Sequence, residues 1–262
     1  AFIAKRMGIP IYHMEAGNRC YDDRVPEEVN RRIIDHSSSI LMPYTQRSKE
    51  NLIREGIPNN RIYVIGNPIS EVLDYYSEKI EQSKIHAKLG VKKQEYFLVT
   101  MHRAENVDIE FRLKNIADGL NQIQNNYKLP VICSLHPRTR DKIQQFGINF
   151  DNSKIIFLEP LGFFDFVSLE KSAFCVLSDS GTVQEESCIF NVPNVTLRDV
   201  TERPETIECG SNILSGVYVD NLLRCINIVA TKSAYWVVPH EYNLLNVSNT
   251  VINIVLGYKH LC

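Results

Sequence analysis

Short apolar runs alternate with longer amphipathic segments along nearly all of this 262-residue chain, and that alternation limits its possible folds more than any other feature. Residues 9–14, 40–43, 62–65, 96–100, 130–134, 155–158, 175–177 and 194–197 are apolar runs of strand length. Between them, residues 26–38, 47–55, 70–79 and 109–125 carry apolar side chains at helical spacing, with Gly56 closing the second of these. Strand and helix in strict alternation predict a parallel sheet covered by helices on both faces, an α/β fold. The polar stretch at residues 66–92, with a helix over 70–79 and a charged linker to Gly90, is the expected domain boundary.

Composition excludes several classes. Hydrophobic content of 44% and charged content of 23% are those of a soluble globular protein. A net charge of −2 gives no general attraction to nucleic acid or to an anionic membrane. No apolar run approaches the roughly 20 residues that span a bilayer. The seven cysteines form no Cys-x-x-Cys pair, and several sit in apolar runs, which predicts reduced core thiols in the cytoplasm. No signal peptide is read at the start. The first residues read as the tail of a helix closed by Gly8, so the chain is expected to lack its beginning.

Two segments carry most of the chemistry. Leu177-Ser178-Asp179-Ser180-Gly181-Thr182-Val183-Gln184-Glu185-Glu186 reads as a strand entering a helix through a Ser-Gly turn. The N–H groups of such a helix start converge on one spot that suits a phosphate, with Glu186 within reach of a ribose hydroxyl beside it. An ordinary capped turn fits the same pattern. The second segment is Thr201-Glu202-Arg203-Pro204-Glu205, where the guanidinium of Arg203 suits a diphosphate or an acidic partner. Ligands of doubly wound sheets sit beyond the C-terminal strand ends. His13 and Glu15 end one strand, His102 a second, and Asp179 and Ser180 a third. His13 alone reads as a structural histidine. Glu15 precedes Ala16-Gly17, where Gly17 admits a ligand or another backbone. Glu27 and Glu28 follow Pro26 at a helix start, where acids offset the dipole. His102 and Arg103 can neutralise a pyrophosphate. No metal-ligand spacing is present and no cofactor is expected.

Taken in order, five segments resemble the non-hydrolysing UDP-N-acetylglucosamine 2-epimerases. They are His13-Met14-Glu15-Ala16-Gly17, Pro26-Glu27-Glu28-Val29-Asn30-Arg31, Thr100-Met101-His102-Arg103-Ala104-Glu105-Asn106, the Asp179–Glu186 segment and Thr201–Glu205. The resemblance runs from the first residues to about Gly216. It implies two Rossmann-like doubly wound domains facing across a cleft, the GT-B arrangement, with the first incomplete. Residues 1–70 would belong to the first domain and 71–245 to a UDP-binding second domain. Residues 246–262 would form a helix returning to the first. Catalysis would fall to Glu15, Glu27 and His102. The UDP moiety would be held by His102, Arg103, Phe166, Ser180, Gly181, Glu186 and Arg203, with Phe166 against uracil. The activity implied is epimerisation at C2 of a UDP-N-acetylhexosamine, for surface polysaccharide precursors. A UDP-sugar is the expected partner, with no nucleic acid or membrane involved and a homodimer as the assembly. A catalytic aspartate and a nucleotide-contacting arginine would lie upstream of Ala1, so the isolated chain is not expected to epimerise.

Two departures bear on regulation. Ala104 replaces an arginine of the family pattern, and His136-Pro137-Arg138-Thr139 replaces a His-x-Asn-Pro segment. A second, activating UDP-sugar site is therefore expected to be weak or absent. Residues 17–26 resemble the branch acting on modified sugars, such as UDP-N-acetyl-L-fucosamine precursors. The rival readings are a GT-B glycosyltransferase and an inactive UDP-sugar-binding remnant.

Overall fold

The computed structural model describes residues 1–150, 154–231 and 235–258. Cys262 and the last residues of the expected C-terminal helix lie outside them. The chain divides into two compact units, one of residues 1–74 with 239–262 and one of residues 75–238.

In the first unit, strand β1 (Tyr12–Met14) pairs in parallel with β2 (Ile40–Met42), His13 standing opposite Leu41. The helix Pro26–Ser37 joins them, with proline at its start and two acids in its first turn. Residues 62–65, expected as a strand, close only one bridge, from Ile62 to Leu41. Gly66, at a φ of 86°, turns the chain away before a strand can form. A Cβ there would meet Leu244 at 2.5 Å. The unit's buried side chains form two clusters, one around Ala16, Leu41, Leu52 and Ile57, the other joining Ile40, Met42 and Ile65 to Val247 and Ile254 of the helix Val247–Gly257.

The helix expected over 70–79 is present as two short ones, Ile69–Tyr75 and Ser77–Glu81, and the expected charged linker to Gly90 contains a third, Ile85–Leu89, ended by Gly90 at a φ of 65°. Ile80 and Ile85 are buried, so the charges mark the wet sides of amphipathic turns.

The second unit is built on a six-stranded parallel sheet. Its strands are β3 (Phe97–Met101), β4 (Val131–Leu135), β5 (Ile155–Leu158), β6 (Cys175–Ser178), β7 (Asn194–Thr196) and β8 (Asn212–Leu214). Their order is β5-β4-β3-β6-β7-β8. β8 has no clear sequence signal, because it opens on the polar Asn212 and adds only two apolar residues. Side chains of β3 alternate between the sheet's two faces. Phe97, Val99 and Met101 meet Leu113, Ile116 and Leu120 of the helix Glu110–Tyr127. Leu98, with Ile132 and Val176, meets Ile85, Leu169 and Val183 on the other face. Each such side chain contributes about 1.5–3 kcal/mol on full burial. Cys20, Cys133, Cys175, Cys188, Cys209 and Cys225 carry free thiols.

Candidate nucleotide site and carboxylate segment

The strand order reverses between β3 and β6, which places a crevice beyond their C-terminal ends. Asp179 leaves β6 fully buried and turns back toward β3. Its carboxylate accepts the backbone N–H of His102 at 3.1 Å, that of Arg103 at 3.0 Å and the side-chain amide of Asn106 at 3.1 Å. Asp179 is thus a brace for the His102–Arg103 turn, a role its place in a strand-to-helix turn does not announce. The His102 ring, its Nδ1 3.5 Å from that carboxylate, keeps 45% of its side chain exposed.

The helix Gly181–Ile189 begins at the same place, with Ser180 in the capping position. The Ser180 hydroxyl makes no capping bond, and its N–H donates to Ser178 Oγ at 2.9 Å. A capped start is the sequence expectation, whereas the structure leaves that hydroxyl uncommitted to the helix. Gly181 allows the next turn to lie close: a Cβ there would meet Glu202 Oε1 at 3.1 Å and the Arg203 guanidinium at 3.6 Å. Arg203 Nε stands 2.5 Å from Glu185 Oε1, and Thr201 Oγ1 donates to Gln184 Oε1 at 2.7 Å. Glu202 accepts from the buried Arg198 at 2.9 Å and faces Arg103 at 3.7 Å. The fold therefore gathers Arg103, Ser180, Gly181 and Arg203 at one helix start beside His102. Glu186, one turn further along, is 5% exposed. Burial pushes its carboxyl up to about 7, a hydrogen bond with Glu170 opposes the rise, and the charge of Glu185 adds to it. Phe166 is half-buried and packs against the cluster of Leu98, Ile132 and Val176.

In the first unit, Glu15 directly follows β1 in a left-handed backbone conformation, with a φ of 60°. Its Oε1 accepts from Asn18 Nδ2 at 3.1 Å. Gly17 admits a backbone, since a Cβ there would stand 2.2 Å from the carbonyl oxygen of Ser48. His13 Nδ1 lies 2.7 Å from Asp35 Oδ1. Asp35, fully buried, also accepts the Gly17 N–H at 3.2 Å and pairs with Arg19 at 2.7 Å. Arg19 in turn donates to both oxygens of Glu55, at 2.8 and 2.6 Å.

Glu27 is exposed in the first helical turn, whereas Glu28 is fully buried. Glu28 accepts the N–H groups of Cys20 at 3.0 Å and Tyr21 at 3.1 Å. Burial works to raise its carboxyl, but these bonds, with Cys20 Sγ and Arg32, outweigh it and hold the group below the usual carboxylate range. Asp35, Arg19 and Glu55 escaped sequence reasoning. Glu28 and Asp35 lie seven residues apart on one face of their helix, and that spacing is the available signal.

Among the described residues, no group of three or more His, Cys, Asp or Glu side chains is placed to hold a metal ion. No described helix is long and apolar enough to cross a membrane.

A parallel α/β unit whose strand order reverses beside a helix start has the architecture of the doubly wound α/β proteins, whose ligands sit at that switch point. Comparison with known proteins narrows that class. The model of the UDP-N-acetylglucosamine 2-epimerase family matches residues 1–256, and the chain belongs to that family. It is 44% identical over 246 residues to the UDP-N-acetylglucosamine 2-epimerase of Methanocaldococcus jannaschii, covering 91% of this chain and 67% of that protein. It is 36% identical to the UDP-2,3-diacetamido-2,3-dideoxy-D-glucuronate 2-epimerase of Pseudomonas aeruginosa, over 86% of this chain and 62% of that one. The crystal structure of the M. jannaschii enzyme in complex with UDP-GlcNAc and UDP superimposes with a TM-score of 0.92 at 40% identity, covering 98% of this chain and 71% of that one.

Proposed function

We propose that the protein epimerises a UDP-N-acetylhexosamine at C2 by eliminating and re-adding UDP. The observation that carries the reading is the gathering of His102, Arg103, Ser180, Gly181 and Arg203 at the switch point of the β3–β8 sheet. Family membership and the UDP-bound relative support the same reading. In it, the diphosphate meets the Gly181 helix start, His102, Arg103 and Arg203, Glu186 meets the ribose and Phe166 the uracil. UDP departs readily only if its negative charge is held, which is the task of these cations and N–H groups.

A carboxylate takes the C2 proton as UDP leaves, giving a 2-acetamidoglycal. Reprotonation from the other face followed by re-addition of UDP gives the epimer. Glu15 and Glu27 are assigned to this acid–base work, which needs two carboxyls in different protonation states. His102 joins them by stabilising the leaving group. The strained backbone of Glu15 favours a functional over a structural role, since such strain persists where geometry matters. The same proposal has the protein act in the cytoplasm, as a homodimer, on a UDP-sugar rather than on nucleic acid.

The test is product analysis with the protein. Started from UDP-N-acetylglucosamine or from its C2 epimer, the reaction should reach one common ratio with no acceptor added. Release of UDP that depends on an acceptor sugar would favour a glycosyltransferase. Tight UDP binding without conversion would favour an inactive remnant.

A further inference from the structure

Glu170 is a buried acid with no cation paired to it among the described residues. It is the last residue of the helix Phe163–Glu170 and is fully buried. The C-terminal end of a helix carries partial negative charge, which opposes a second negative charge there. One carboxyl oxygen, Oε1, accepts from Ser187 Oγ at 2.9 Å. The other, Oε2, is buried with no donor beside it among the described residues. The carboxyl of Glu186, the residue before Ser187, is also within hydrogen-bonding reach of Glu170. Two carboxylates cannot bond each other, because both only accept. One proton between them turns the contact into a short, strong hydrogen bond.

The charges around the pair do not remove the need for that proton. Glu185, on the same helix as Glu186, is matched by Arg203 at 2.5 Å. Lys171, next to Glu170, lies 3.7 Å from Glu81. Asp179, at the end of β6, is occupied by the His102 and Arg103 N–H groups. Burial first, and then the charge of Glu186, push the Glu170 carboxyl well above the usual range.

We propose that Glu170 holds a proton at neutral pH and donates it to Glu186, fixing the Glu186 carboxylate as an acceptor for the ribose hydroxyls of a bound uridine nucleotide. Glu170 is thus a positioning residue, acting through Glu186 from behind the site. The inference rests on the reading that Glu186 meets the ribose. Its energetic sense is that a carboxylate bonded on one oxygen keeps its charge and presents the other in a fixed direction, and hydrogen bonds to charged groups are the stronger ones.

Two measurements test it. Infrared difference spectra between the protein and Glu170→Gln at pH 7.5 should show a protonated carboxylic acid carbonyl band that the variant lacks. In calorimetry, Glu170→Gln, whose amide can still donate, should keep UDP affinity within about threefold, a small shift on the roughly 1.4 kcal/mol-per-decade scale. Glu170→Met, of similar length but without a donor, should bind UDP on the order of tenfold more weakly, the scale of one hydrogen bond. UDP lacking both ribose hydroxyls should bind the protein and both variants alike, whereas a merely structural role would weaken both nucleotides together. Absence of the band, its survival in Glu170→Gln, or an unchanged preference of Glu170→Met for UDP over the dideoxy nucleotide would overturn the proposal. A Glu186→Ala variant separates the layers. If it still prefers UDP over the dideoxy nucleotide as strongly as the protein does, the ribose reading itself fails. If it loses that preference while Glu170→Met keeps it, only the shared proton fails.

Discussion

Glu15 occupies a left-handed conformation that costs an L-residue on the order of 1–2 kcal/mol, and glycine would occupy it freely. Replacing it isolates stability from chemistry. Glu15→Gly should leave thermal stability unchanged or raise it by up to about 1 kcal/mol, because relieved strain offsets the lost Asn18 contact and the added chain entropy. Turnover should nevertheless be abolished. A clear loss of stability with activity retained would make Glu15 a structural turn residue. His102 is the counterpart in the second unit. Its ring is held by the braced turn yet nearly half exposed, so His102→Ala should fold normally. It should weaken UDP binding by roughly 1.5–3 kcal/mol, the range for a hydrogen bond to a charged group. Calorimetry giving an unchanged affinity in the folded variant would remove His102 from the site.

At the scale of elements, the helix Pro26–Ser37 shows how a surface pattern can mislead. Val29 and Ile33, four residues apart, suggest a core-facing stripe, yet they are 42% and 51% exposed. The fully buried face carries Glu28 and Asp35 instead, because these acids satisfy N–H groups and guanidinium ions of the segment 17–21. The Glu28 carboxyl is held below the usual range, so its stabilising effect is complete above the unfolded value of about 4.3 and is lost as pH falls through the lower folded value. Glu28→Gln should therefore be less stable than the protein by about 2 kcal/mol between pH 6 and 8. That gap should close as the pH drops below about 4. Denaturant unfolding at several pH values checks this, and a gap that widens in acid would contradict it.

The strands of the second unit were legible because parallel strands buried on both faces are continuous apolar runs. Phe97–Met101 and Cys175–Ser178 follow that rule, while β8 does not. The Ser180-Gly181 turn and Arg203 were legible because turn chemistry is local. Asp179, Asp35, Arg19 and Glu170 were not, because each takes its role from a partner brought near only by folding. Phe166 carries both a core contact and an expected uracil contact, and sequence pattern alone cannot separate them.

At the scale of the whole molecule, residues 75–238 contain a complete six-stranded sheet with helices on both faces and their own core. Expressed alone, this unit should unfold in a single cooperative transition and still bind UDP, though weakly. Loss of cooperative folding would show that its stability depends on the other unit. The carboxylates assigned to acid–base work, Glu15 and Glu27, belong to that other unit, so binding and turnover should separate by mutation. Glu27→Gln keeps the shape of the side chain but cannot exchange a proton. It should retain UDP affinity and lose turnover by about 10²-fold or more, the usual contribution of an acid–base group. The most direct test of the account is NMR detection of solvent deuterium at C2 of UDP-N-acetylglucosamine incubated with the protein in D₂O. We predict deuterium at C2 of both epimers with no acceptor present, and almost none with Glu27→Gln. Interconversion without deuterium at C2, or UDP binding with no exchange at all, would contradict it.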